Sequence, residues 1–103
     1  MSEILNDESF DSFVNDNDIV FIDFFNEGCI PCRRVSPLLS RLEATYDTVK
    51  FGKIKISSNE NTVKKYSVEA APTLVLFKSG EEIARHRGVA NTQQLTELIE
   101  KAL

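Results

Sequence analysis

The stretch from Ile19 to Leu42, IVFIDFFNEGCIPCRRVSPLLSRL, constrains the fold more than any other part of the chain, because its apolar period changes halfway along. Ile19 to Phe25 is apolar at every position except Asp23, and a continuous β-branched and aromatic run of that length suits a central parallel strand covered on both faces. From Val35 the apolar residues fall at Val35, Leu38, Leu39 and Leu42, one stripe of a 3.6-residue helix. The pattern predicts a strand that turns directly into a helix running from about Cys29 to Tyr46. Cys29 and Cys32, three apart in CIPC, then sit at the helix entrance on neighbouring positions of its first turn. Pro31 fits there, since a first-turn proline lacks only an N–H that would be unpaired anyway. Pro37, further along, removes one helical hydrogen bond and predicts a kink.

The rest of the chain supplies partners for that unit. Ile4 and Leu5 are read as a short first strand, and NDESFDSFV as a helix capped by Asp7 or Ser9, with Phe10, Phe13 and Val14 on one face. Lys50 to Ile56 alternates and is read as a strand; Asn59 to Tyr66 is read as a short helix capped by Asn59 or Asn61. Thr73 to Lys78, a turn at Ser79 and Gly80, and Glu82 to Arg87 form a hairpin. The last helix starts after Asn91, with Gln94 completing a cap pair, and buries Leu95, Leu98, Ile99 and Ala102. The order is β, α, β, α, β, α, β, β, α, which one mixed sheet with helices on both faces satisfies. In such sheets chemistry gathers beyond the carboxyl ends of the strands, where the CIPC turn lies.

With 103 residues the chain is one domain spanning 1–103, long enough for a single core. A net charge of −4 argues against nucleic acid or an anionic membrane as the main partner. No run approaches the roughly 20 apolar residues of a spanning helix. The start, MSEILNDESF, is acidic and carries no basic or apolar leader, so a cytoplasmic location is expected.

Two cysteines at this spacing admit three uses. As a structural staple, a four-residue loop yields only about 2 kcal/mol by the chain-entropy estimate, so a bond that ties so little suits being broken and remade. As half of a zinc site they need two further ligands, and the chain offers no other cysteine and a single histidine, His86. Dithiol–disulfide exchange is the reading the residues favour. An ordinary thiol ionises near about 8.5 and each tenfold gain in thiolate takes about 1.4 kcal/mol, more than the roughly 0.3 to 1 kcal/mol of a helix dipole. Hydrogen bonds from Cys32 and the first-turn amides, with Arg33 and Arg34 nearby, are the further sources. Cys29, at the exposed mouth, is read as the attacking thiolate and Cys32, one turn deeper, as the resolving thiol. Asp23, a carboxyl in an apolar strand, is expected to hold its proton to unusually high pH and to exchange protons with Cys32. Lys53 on the following strand is its candidate partner; a solvated strand lysine is the alternative.

The segments IDFFNEGCIPC, AAPTLVLFKSGEEI and RGVA, in this order, resemble the thioredoxin family over essentially the whole chain. The resemblance implies a three-layer α/β/α sandwich with a central mixed five-stranded sheet and four helices. It implies the same roles for Cys29, Cys32 and Asp23, and a cis proline at Pro72 lying against the disulfide. Clients are then expected to dock along Ile30, Pro31, Ala71, Thr73 and Gly88, with the Ala71 backbone pairing with a client strand. It further implies a monomeric general protein-disulfide reductase recycled by a thioredoxin reductase, with disulfide-containing client proteins and no cofactor besides the redox-active disulfide. Departures fall on the docking rim. Gly28 replaces the family's tryptophan, Ile30 its glycine, Arg87 an aliphatic residue, and Ala71 a larger one. They leave room for two other functions: a dedicated redox partner or more oxidising exchanger, and a non-catalytic binding module on the same fold.

Overall fold

The computed structural model describes residues 2–103. Its elements run β1 (Glu3–Leu5), α1 (Phe10–Asn15), β2 (Ile19–Phe25), α2 (Ile30–Thr45), β3 (Val49–Lys55), a short 3₁₀ turn (Ile56–Ser58), α3 (Glu60–Lys65), β4 (Thr73–Lys78), β5 (Glu81–Arg87) and α4 (Thr92–Glu100). The apolar run Ile19–Phe25 takes the middle of a five-stranded sheet ordered β1-β3-β2-β4-β5. It pairs in parallel with β3 and antiparallel with β4, while β4 and β5 form the expected hairpin.

Burial on both faces explains why β2 is apolar at successive positions. Ile19 and Phe21 pack with Leu39 and Leu42 of α2 and Leu95 and Ile99 of α4. Val20, Ile22 and Phe24 face the opposite way, onto Phe10 and Val14 of α1 and Val68 after α3. Each layer of helices covers one face, and the alternation of β2 decides which side chain meets which layer. Asp23 follows Ile19 and Phe21 at the two-residue period, so it belongs to the α2/α4 face at the carboxyl end of the strand.

Several local devices differ from the sequence expectation. Helix α2 begins at Ile30, so Cys29 is its N-cap and only Cys32 is inside the first turn. Pro37 lies inside the helix, as expected, and the helix continues past it to Thr45. Ser9 precedes α1 without a side-chain cap bond, and Asn6 Oδ1 instead accepts from the amides of Glu8 and Ser9. The start of α3 is served from outside: Asp7 accepts from the amide of Thr62 at 2.9 Å and from its hydroxyl at 2.7 Å, which holds its carboxyl below the ordinary range. Asn59, expected to cap α3, bonds the Asp7 amide and the Lys55 carbonyl instead. The Asn91–Gln94 pair forms the full capping box. Asn91→Ala is therefore expected to lower stability by about 1 kcal/mol, read as a lower urea midpoint at unchanged slope.

Candidate active site

Four residues, Asn26 to Cys29, connect β2 to α2, and their bonds fix the mouth of the cleft. Asn26 Oδ1 accepts from the Ser57 amide at 3.1 Å and Glu27 meets Lys55 Nζ at 3.2 Å, tying the loop to the end of β3. Gly28 takes φ +71°, a left-handed conformation that disfavours any side chain, and a Cβ there would meet open space. That turn delivers Cys29 to the N-cap position. Cys29 and Cys32 are joined as a disulfide with Cα atoms 5.3 Å apart. Cys29 Sγ also accepts a hydrogen bond from the Cys32 amide at 3.2 Å, the bond an N-cap oxygen ordinarily takes. The two sulfurs are unequal. Cys29 is partly exposed, whereas Cys32 is 7% exposed on the inner side of the helix.

Below them lies a cleft of about 390 Å³ lined by Asp23, Phe25, Cys29, Cys32, Arg33 and Lys53 among others. Asp23 is 8% exposed and its Oδ1 is buried without a hydrogen-bond partner. Desolvation raises its pKa from 3.8 to about 6, with the Lys53 charge pulling the other way. Lys53 is the residue facing Asp23 across the β2–β3 ladder, and its Nζ stands 5.6 Å from the centre of the Phe25 ring. The expected pairing thus exists as adjacency and field, with Phe25 sharing the ammonium.

The second wall is the loop before β4. The Ala71–Pro72 peptide is cis and Pro72 is buried. Pro72 O accepts from the Gly88 amide at 2.8 Å, and Thr73 Oγ1 donates to Ala70 O at 2.6 Å. Thr73 is fully buried, so it reaches a client only through the loop it holds. Gly88 is expected from the sequence to leave room for a client strand. A Cβ there meets nothing within 4 Å, but its φ of +86° requires glycine for the backbone itself. Ile30 is 63% exposed and Ala71 and Pro31 are partly so. Ser36, one turn beyond Cys32, also lines the cleft. Its four-residue spacing from Cys32 is the signal that finds it; the Asn26 and Glu27 braces depend on loop positions that no spacing reveals.

A family model, Thioredoxin, matches residues 1–101. The chain belongs to the thioredoxin family. It is similar to thioredoxin from Chlamydia pneumoniae, 44% identical over 98% of each chain, and to thioredoxin 1 from Plasmodium falciparum, 34% identical over 89% of this chain and 88% of that one. The solved structure of Fasciola hepatica thioredoxin superposes with a TM-score of 0.90 at 34% identity, covering 98% of this chain and 99% of that one. As a thioredoxin-family member with the paired cysteines in place, the chain is a protein-disulfide oxidoreductase, and the exchange reading of CIPC stands over the staple and the zinc site. Among the described residues no group of three His, Cys, Asp or Glu side chains is placed to hold a metal ion.

Proposed function

We propose that this thioredoxin-family protein works in the cytoplasm as a monomeric general reductant of protein disulfides, with Cys29 as nucleophile, Cys32 as resolving thiol and a thioredoxin reductase as electron donor. The observation that carries the division of labour is the unequal exposure of the two sulfurs, together with the Cys32 N–H bond to Cys29 Sγ. A thiolate at Cys29 keeps that donor and the end of the α2 dipole, both favouring negative charge. It attacks one sulfur of a client disulfide; the client S–S bond breaks, its other sulfur leaves as a thiolate and takes a proton from solvent. Cys32 then gives its proton to the Asp23 carboxylate, directly or through solvent in the cleft, and attacks Cys29 Sγ. The mixed disulfide breaks and the client's second sulfur leaves and is protonated. Two electrons have passed to the client and the Cys29–Cys32 bond is restored. Lys53 biases Asp23 toward its charged form, opposing the desolvation.

Docking is assigned to the rim formed by Ile30, Pro31 and Ala71, held by Pro72, Thr73 and Gly88, with the client strand running along the Ala71 backbone. A cytoplasmic address is consistent with this chemistry, since the disulfides that cytosolic proteins do carry are for the most part transient and catalytic. NADPH-coupled insulin reduction with a thioredoxin reductase tests the assignment. Steady turnover is expected, and equilibration with glutathione is expected to leave the protein disulfide strongly favoured. Cys32→Ser should accumulate a mixed disulfide through Cys29 on incubation with oxidised clients. A mixed disulfide trapped only by Cys29→Ser would reverse the roles, and a poise far more oxidising than glutathione would point to an exchanger that forms disulfides.

A further inference from the structure

Arg87 ends β5 directly opposite Thr73, the residue after cis Pro72. Thr73 and Val75 share the sheet face that α3 covers, and the β5 residues opposite them, Arg87 and Arg85, share it too. Arg85 is committed there: its guanidinium meets Glu82 at 2.6 and 2.7 Å and donates to Tyr66 O at 2.8 Å. Arg87 is not. Its one ion-pair contact among the described residues is with Glu69 at 3.8 Å, too long for a hydrogen bond, and the two side chains are 61% and 79% exposed. Glu69 immediately precedes Ala70 and Ala71, so the guanidinium stands beside the segment that leads into the loop assigned above to client docking, whose own side chains there are two methyl groups. On the other side of the sulfurs Arg33 and Arg34 are exposed, with no ion-pair partner among the described residues, and Glu27 is engaged by Lys55. The groove thus has Arg33 in its lining and Arg87, held only by the loose Glu69 contact, at its edge, in a chain whose net charge is −4.

We propose that Arg87 is a specificity residue of the exchange reaction, selecting clients with an aspartate or glutamate beside the target cysteine, and that Glu69 is an internal competitor for the same guanidinium. The proposal rests on the docking of clients along Ala71. An arginine fork matches a carboxylate with two parallel N–H donors, and the loose Glu69 contact costs little to exchange for a client carboxylate. Rim charges act on encounter more than on residence, so the preference is sensitive to salt.

The experiment compares three disulfide-containing peptides, identical except for Asp, Asn or Lys beside the cysteine, reduced by the dithiol form of the full chain. At low salt the Asp peptide is expected to react about two- to five-fold faster than the Asn peptide, the scale of one exposed ion pair, and the Lys peptide slower. About 1 M salt should bring the three together. Arg87→Val should abolish the order, Arg87→Lys should keep it in weakened form, and Glu69→Gln should widen it. An order that survives in Arg87→Val, or that salt does not touch, overturns the role given to Arg87. A further arm uses an Asn peptide N-methylated at the residue that pairs with Ala71. Reduction as fast as that of the unmethylated peptide removes the docking assignment and the proposal with it. Slower reduction of that peptide, with equal rates for Asp, Asn and Lys, removes the proposal alone.

Discussion

Cys29→Ser is expected to bring disulfide reduction down to the uncatalysed background, a loss on the order of 10³-fold or more, because the one thiol left in the cleft, Cys32, is only 7% exposed and poorly placed to reach a client disulfide. The substitution isolates chemistry from folding better than most. Serine is among the best N-cap residues, so the introduced hydroxyl replaces Cys29 Sγ as acceptor for the Cys32 amide and helix α2 keeps its start. The lost cross-link closes a four-residue loop, worth about 2 kcal/mol by the chain-entropy estimate, and the dithiol form that performs the reduction lacks it as well. Urea unfolding of Cys29→Ser should therefore match the reduced parent chain, while insulin turbidity develops at the rate of the protein-free control. Thiol alkylation must follow the redox state, since the chain has no tryptophan to report it. Residual turnover well above the control in a folded variant would mean that Cys32 attacks clients itself, and the assignment of the nucleophile would have to be exchanged.

How much of this is legible in the residues depends on whether the cause is local. The strand Ile19–Phe25 and the element order follow from period and composition, because burial on two faces leaves no alternation and burial on one face leaves a stripe. The capping box at Asn91 and Gln94 is legible because both partners lie within one turn. The cap of α3 is not. Asp7 reaches Thr62 across 55 residues of sequence, and only the packing of α1 beside α3 brings them together. The same holds for the site. CIPC announces its chemistry by spacing, and Asp23 by being the one carboxyl in an apolar strand. At Thr73 and Gly88 one residue type is compatible with two roles. Sequence marks these positions as special, but only coordinates separate a side chain that touches a client from one that shapes the loop.

The second large effect concerns Asp23, and its sign is the test of the whole reading of the cleft. Its folded pKa is raised from 3.8 to about 6, so between roughly these values the folded chain binds a proton that the unfolded chain has lost. The contribution is fully favourable below about pH 4 and is lost as pH rises through 6. Above pH 7 the charged, buried carboxylate costs about 3 kcal/mol relative to the low-pH limit. Asp23→Ala removes that cost together with the unpartnered Oδ1, so the variant is expected to be more stable than the parent chain by about 2 kcal/mol at pH 8, after allowing for the small cavity. The difference should shrink to zero or reverse at pH 4. Urea midpoints of the disulfide form from pH 4 to 8 check this, and parallel curves for the two proteins would place the carboxylate in water. The gain in stability should come with a loss in function. Without a group to take the Cys32 proton, release of the mixed disulfide is expected to slow by about 10²-fold near neutral pH, and the rise of that step through pH 6 should vanish. A variant that is both more stable and slower is hard to obtain from packing alone. It is the expected signature of a charge kept in an unfavourable place because the proton it carries belongs to the reaction.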